Sequence, residues 1–207
     1  MLRKPGKGGT LLLNDSDGAV ETNQAKCVNA MAKGLVFKFQ AGNFFQNNPN
    51  MLDLMVDLVV NTATGASPAT GGMMTHLIDC YCGSGLFCIG PLLRFNACIG
   101  IEINKVAISK AWENTALNGV RNRDFVAASA KAIFLSKVPD GVCGAIDNGG
   151  GEDNGGNNNK KKISGLLVRD FPRDMTVVVV DPPRKGCLVE FLDQLNKYQP
   201  TRVVYMS

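Results

Sequence analysis

The stretch Thr75-His76-Leu77-Ile78-Asp79-Cys80-Tyr81-Cys82-Gly83-Ser84-Gly85 constrains the rest of the chain most strongly. Leu77 and Ile78 form a short apolar run that Asp79 closes, and Gly83 and Gly85 bracket one residue. The apolar pattern then resumes at Leu86, Phe87, Ile89, Leu92 and Leu93. Strand, tight turn and helix is the economical reading of that order. In an open parallel sheet such a turn lies at the carboxyl end of a strand. There, paired glycines let a ligand approach the backbone, and the following helix offers unpaired N–H groups. A nucleotide-like ligand is the first expectation.

The segments on either side extend this to a β-α-β series. Ala97–Ile101 reads as a second buried strand with Glu102 at its tip, and Val106, Ile108, Ala111, Trp112 and Leu117 line a helix that stops near Asn118-Gly119. Phe125–Ala128 is a third strand. Thr176–Val180, almost wholly β-branched and apolar, is a fourth, of the kind covered on both faces. Asp181-Pro182-Pro183-Arg184 ends it, a helix follows from about Cys187 to Tyr198, and Arg202–Met206 is a fifth strand. Upstream, Leu11–Leu13 and the alternating Leu35-Val36-Phe37-Lys38-Phe39-Gln40 indicate short antiparallel strands. A loop at residues 41–50 leads into a helix striped by Leu52, Met55, Val56, Val59 and Val60, with Asn48 or Asn50 as its cap, and residues 62–72 form a surface connection. Residues 141–162 collapse to Gly, Asn, Asp and Lys and read as a disordered insertion. The expected organisation is a lead-in over 1–41 and one α/β domain over 42–207.

At 207 residues, with 45% hydrophobic and 19% charged, the chain has material for one substantial core. A net charge of +4 permits a polyanionic partner without requiring one. The seven cysteines, Cys27, Cys80, Cys82, Cys88, Cys98, Cys143 and Cys187, are odd in number and mostly set in apolar runs. That spacing suits reduced thiols inside a cell, not a metal site or a disulfide framework. No run is long enough for a membrane span, and the basic N-terminus lacks the apolar core of a secretory signal. His76, the only histidine, reads as a surface residue, and Lys160–Lys162 as a solvated loop.

Glu102 stands where an acidic side chain in a nucleoside-binding fold accepts hydrogen bonds from both ribose hydroxyls. The turn Cys82-Gly83-Ser84-Gly85-Leu86-Phe87 lacks the third glycine of a dinucleotide fingerprint. S-adenosylmethionine, which has no pyrophosphate to cradle, fits that omission better than a nicotinamide dinucleotide. The prolines after Asp181 stiffen a loop at the same edge of the sheet, where it can hold a planar base.

These residues carry a family resemblance. Ala41-Gly42-Asn43-Phe44-Phe45-Gln46-Asn47-Asn48, Asp79–Gly85, Gly100-Ile101-Glu102, Asn114–Asn118, Asp181-Pro182-Pro183-Arg184-Lys185-Gly186 and Arg202–Ser207 resemble, in order, the S-adenosylmethionine-dependent RNA uracil-C5 methyltransferases. The resemblance implies a Rossmann-like class I methyltransferase fold, with a mostly parallel sheet and helices on both faces. It implies Gln46, Asp79, Tyr81, Gly83, Gly85, Glu102 and Asp181 as the cofactor-binding set, and Pro182, Pro183 and Arg184 beside the base or RNA backbone. The implied substrate is RNA, transfer RNA before ribosomal RNA, with no metal and no membrane.

In that family a cysteine thiolate adds to C6 of uracil, the resulting enolate takes the methyl group at C5, and a carboxylate base removes the C5 proton. The family's thiolate follows a strand ending Tyr-x-Ser, here Tyr205-Met206-Ser207. The expectation is therefore that the nucleophile comes immediately after Ser207 and the base, a glutamate, later. The chain as given would then be a fragment without its C-terminal strands, with no catalytic residue of its own and unable to turn over. Cys187 lies near the Asp-Pro-Pro-Arg loop but reads as a residue that packs or lies near the surface, and Cys80 and Cys82 read as small packing residues. Two alternatives differ in class. One is another base methyltransferase with an Asp-Pro-Pro motif, although amino-group enzymes usually carry an aromatic residue where Arg184 stands. The other is a non-catalytic module that binds S-adenosylmethionine or RNA.

Overall fold

A computed structural model describes residues 12–13, 20–21, 26–41, 43, 45, 48–65, 71–90, 94–129, 134 and 171–206. The expected insertion at 141–162, Gln46 and Ser207 lie outside the described residues. Two antiparallel pairs come first: β1 (Leu12–Leu13) with β2 (Val20–Glu21), and β3 (Cys27–Ala32) with β4 (Leu35–Gln40). Lys33 and Gly34 join the second pair with φ values of 52° and 77°, the left-handed geometry a two-residue hairpin turn requires. Phe37 and Phe39 point into the core as the alternation in Leu35–Gln40 predicts. Strand β3 was not anticipated, because its inward residues are the small Val28, Ala30 and Ala32.

Helix α1 (Leu52–Ala63) follows a short 3-10 turn at Pro49–Met51. Asn48 accepts the Asn50 N–H at 3.1 Å and so caps that turn, whereas α1 itself begins without a side-chain cap. The main sheet then forms from β5 (His76–Cys80), β6 (Ala97–Glu102), β7 (Arg123–Ala127), β8 (Thr176–Val180) and β9 (Arg202–Tyr205). Helices α2 (Leu86–Ile89), α3 (Lys105–Leu117) and α4 (Val189–Tyr198) lie between them. All five strands are parallel, in the order β7-β6-β5-β8-β9. Every residue of β8 is buried, as a strand covered on both faces must be.

The period-two alternation of the central strands divides the core. Leu77, Cys98, Val177, Val179 and Val204 face α1, α3 and the β3–β4 hairpin, while Ile78, Ile99, Ile101, Val178 and Val180 face Phe171 and α4. The hairpin therefore shares the core of the sheet. Three expected details differ. Helix α2 is a single turn ending at Gly90, with 91–93 outside the described residues. On α3, Val106 and Leu117 are exposed while Asn114 and Thr115 are buried, since that helix packs on polar backbone as well as on the sheet. Helix α4 starts two residues past Cys187 and buries Phe191 and Tyr198. Among the described residues no helix is long and apolar enough to cross a membrane.

Candidate functional site

Strand order reverses between β5 and β8, so β6 and β8 flank β5 on opposite sides. A crevice at the carboxyl ends of the strands belongs to such a switch point. Asp79 pairs across the sheet with Gly100 and Val179, and Cys80 with Ile101 and Val180. The residues after β5 and β8 consequently emerge side by side, and Asp181 N–H still reaches Cys80 O at 3.4 Å.

From β5 the chain bends over the end of β6. Tyr81 and Cys82 both donate their N–H to Ile101 O, at 2.9 and 3.1 Å, which holds Tyr81 at a left-handed φ of 67°. A non-glycine residue in that region is uncommon and needs such anchors. Gly85 (φ 91°) ends the turn. A Cβ there would lie 3.0 Å from Ile89, 3.1 Å from Phe125 and 3.2 Å from Ala111, so close packing and backbone both demand glycine.

Glu102 leaves the tip of β6 half-buried. Its Oε2 accepts Gly83 N–H at 3.4 Å and its Oε1 accepts Asn104 N–H at 2.8 Å. Asn104 also caps α3, accepting from Val106 N and Ala107 N, and donates from Nδ2 to Asn43 Oδ1 at 3.0 Å. Asn43 is held nearby because Phe45 stacks on Phe39, with ring centroids 4.1 Å apart and planes 7° from parallel. The segment that precedes α1 is thereby brought to the mouth of the crevice.

Asp79 lies beneath the turn, fully buried, with no N–H or O–H donor on either carboxyl oxygen among the described residues and the Cys88 thiol facing it; Ser84 Oγ has no partner among those residues either. Burial pushes the Asp79 carboxyl well above the usual carboxylate range. Asp181 and then Glu102 add like-charge repulsion, and the Cys88 thiol opposes the shift. The Tyr81 hydroxyl is pushed up to about 12 by burial and by Cys187 beside it. The ring of Tyr81 meets Phe191 edge-on at 5.8 Å. Pro182 is half-buried, Pro183, Arg184 and Lys185 are exposed on the rim, and Gly186 N–H closes a turn onto Pro183 O at 2.7 Å.

Asp79, Tyr81, Gly83, Gly85, Glu102 and Asp181 thus converge on one end of the sheet, with Pro182, Pro183 and Arg184 at its edge. Asn43, Asn104 and Asn114 also build the site; the sequence carries Asn43 and Asn114 within family motifs without a role in the site, and does not single out Asn104. Asn104, directly before the periodic run of α3, carried a legible N-cap signal. Of the described cysteines, Cys80, Cys82, Cys88 and Cys98 are buried, Cys187 is half-buried and Cys27 is exposed. Burial raises the thiols of Cys80, Cys82, Cys88 and Cys98, leaving inert neutral groups, and raises half-buried Cys187 as well.

A five-stranded parallel sheet in this order, with helices on both faces and an acidic residue at the tip of the second strand, defines a class I methyltransferase fold. Residues 20–138 match the family model of tRNA (Uracil-5-)-methyltransferase, and the chain belongs to that family. It is 32% identical over 186 residues to the tRNA (uracil(54)-C(5))-methyltransferase of Saccharomyces cerevisiae, covering 90% of this chain and 24% of the relative. It is 32% identical over 211 residues to the Schizosaccharomyces pombe protein of the same name, covering 97% of this chain and 33% of the relative. The chain therefore spans about a quarter to a third of these relatives' length. Among solved structures, the Pyrococcus abyssi tRNA (uracil-54, C5)-methyltransferase in complex with S-adenosyl-L-homocysteine shares the fold. The TM-score is 0.56 at 21% identity, covering 94% of this chain and 39% of that one.

Proposed function

We propose that this chain forms the S-adenosylmethionine-binding part of a methyltransferase that acts on C5 of a uridine in RNA, with transfer RNA as the substrate class. The observation that carries the reading is Glu102 at the switch-point edge, engaged only by the backbone N–H groups of Gly83 and Asn104 among the described residues. A carboxylate has acceptor sites beyond two such contacts, enough for a pair of vicinal hydroxyls. The residues present fit that cofactor: an acidic acceptor, a glycine turn whose Gly83 N–H meets that acceptor, and a stiff Asp-Pro-Pro loop alongside. S-adenosylmethionine bound there supplies an electrophilic methyl group.

In this reading Glu102 accepts the ribose hydroxyls, Gly83 lets the ligand lie against the backbone, Gly85 closes the turn behind it on Ile89, Phe125 and Ala111, and Tyr81 and Asp181 flank it. Asp79 supports the turn from below, and Gln46 joins the cofactor-binding set by its place in the family motif. Pro182 and Pro183 form the rim for the base, and exposed Arg184 meets the RNA backbone. In this reading the nucleophilic thiolate is none of Cys80, Cys82, Cys88, Cys98 and Cys187, whose thiols burial raises. The relatives' names, both specifying tRNA, support transfer RNA over ribosomal RNA. The six described cysteines are all free, which supports a reducing, intracellular setting.

Calorimetric titration with S-adenosyl-L-homocysteine tests the cofactor reading. Glu102→Ala removes two charge-assisted acceptor contacts, about 1.5–3 kcal/mol each, and weakens binding by about a hundredfold or more. Unchanged affinity in the variant contradicts the assignment. Methyl transfer from labelled S-adenosylmethionine by the whole protein to unmodified transfer RNA, with digestion of the product, tests the rest. Label in 5-methyluridine is the expected result, and label in any other base overturns it.

A further inference from the structure

Asn114 sits fully buried on α3, where the helix crosses both the glycine turn and the hairpin. Its side-chain amide makes three hydrogen bonds, using both of its donors. Oδ1 accepts Lys38 N–H at 2.7 Å, and Nδ2 donates to Lys38 O and to Ser84 O, each at 3.0 Å. One helical turn on, Asn118 does half of the same: Oδ1 accepts Val36 N–H at 3.0 Å, and Nδ2 donates to Val36 O and Asn114 O, each at 2.8 Å. The two amides thus pair with alternate residues of β4 as a neighbouring strand would. Only Asn114 also grips the turn.

We propose that Asn114 is a positioning residue that couples the docking of the β3–β4 hairpin to the shape of the cofactor turn, and through it to cofactor affinity. The inference rests on the function proposed above. Ser84 cannot hold itself, because its own hydroxyl is buried without a partner among the described residues. The Glu102 contact to Gly83 N–H is long, at 3.4 Å, and comes from the carboxylate that the ligand engages. The Asn114 contact is made behind the turn, where no ligand competes for it. Asparagine is also the side chain the geometry requires: two carbonyl oxygens face the Nδ2 end and one N–H faces the Oδ1 end. Aspartate is not an equivalent at this position, because a carboxylate would set acceptor against acceptor at Ser84 O and Lys38 O. A buried carbonyl stripped of its donor shifts a local equilibrium by about tenfold.

Asn118 supplies the control. Asn114→Ala and Asn118→Ala each remove two bonds to β4, but only the first releases Ser84. Amide hydrogen exchange and titration with S-adenosyl-L-homocysteine are measured on the full chain for wild type and both variants. Asn114→Ala is expected to speed exchange across residues 83–86 and weaken binding by about tenfold. Asn118→Ala is expected to speed exchange at residue 36 and leave turn exchange and affinity within about twofold. Equal effects on the turn in both variants, or an unchanged turn in Asn114→Ala, overturn the proposal. If Asn114→Ala does not fold, the wild-type chain decides, because coupling is reciprocal. The ligand must then slow exchange of the Lys38 amide, and an unchanged rate refutes the coupling. Failure of the wild-type chain to bind the ligand overturns the cofactor reading instead, and the exchange comparison between the variants still judges Asn114.

Discussion

Gly100, in the middle of β6, offers a sharp steric test. A Cβ at this position would lie 2.6 Å from Phe125 Cδ1, 2.8 Å from Phe125 Cε1 and 2.8 Å from Cys82 Sγ. Carbon pairs sit comfortably at about 3.5–4.0 Å, so the overlap approaches an ångström. Neither neighbour yields easily. The Phe125 ring is buried and meets Trp112 edge-on at 5.4 Å, and Cys82 is tied by its N–H to Ile101 O. Gly100 has no left-handed φ, so the penalty of Gly100→Ala is purely one of space. Overpacking of this kind costs about 2–3 kcal/mol, offset by about 0.5–1 kcal/mol from the stiffer unfolded chain. The net loss of about 2 kcal/mol corresponds to a Tm lower by about 4–8 °C for a chain of this size. Urea denaturation should show a lower midpoint at unchanged slope. Combining the substitution with Phe125→Leu should recover about 1 kcal/mol in a double-mutant cycle, because the shortened side chain vacates the overlap. A variant within about 0.5 kcal/mol of wild type, or strict additivity in the cycle, would refute this account of why glycine stands there.

Asp79 and Arg202 give two further measurable outcomes. The Asp79 carboxyl is raised in the folded protein, so the native state keeps a proton that the unfolded chain surrenders above about pH 4. Its contribution is intact below that pH and is lost as pH rises through the folded value. Asp79→Asn should therefore flatten the decline of Tm as pH rises above about 4, and parallel curves for the two proteins would show that the carboxyl holds no proton. At the far end of the sheet, Arg202 Nη1 donates to Thr62 O, Ala63 O and Thr64 O at 3.2, 3.1 and 2.6 Å, capping the C-terminus of α1. Arg202→Ala should cost about 1–2 kcal/mol by urea denaturation, because those carbonyls lose a cationic donor at the negative end of the helix; an unchanged midpoint contradicts that role.

What the amino-acid order determined by itself is the part of the molecule governed by local rules. Thr176–Val180 is an unbroken β-branched run because both its faces are covered, and Phe37 and Phe39 alternate with Lys38 and Gln40 because one face is wet. Gly83 and Gly85 mark a turn because their left-handed φ values exclude most other residues. Glu102 is legible for the same reason: a strand tip follows from the strand. Tertiary structure alone decided the rest. Strand β3 hides its face behind Val28, Ala30 and Ala32, whose small side chains carry a weak periodic signal. Asp79 closes an apolar run in the sequence, yet the chain buries it beneath the turn with Asp181 and Glu102 close enough to raise it. Asn114 looks like one polar residue on a helix until the fold lays β4 and the glycine turn against it. Its partners Lys38 and Ser84 lie 76 and 30 residues away. A side chain whose hydrogen bonds end on distant backbone leaves no periodic trace, because the backbone that satisfies it has no sequence of its own.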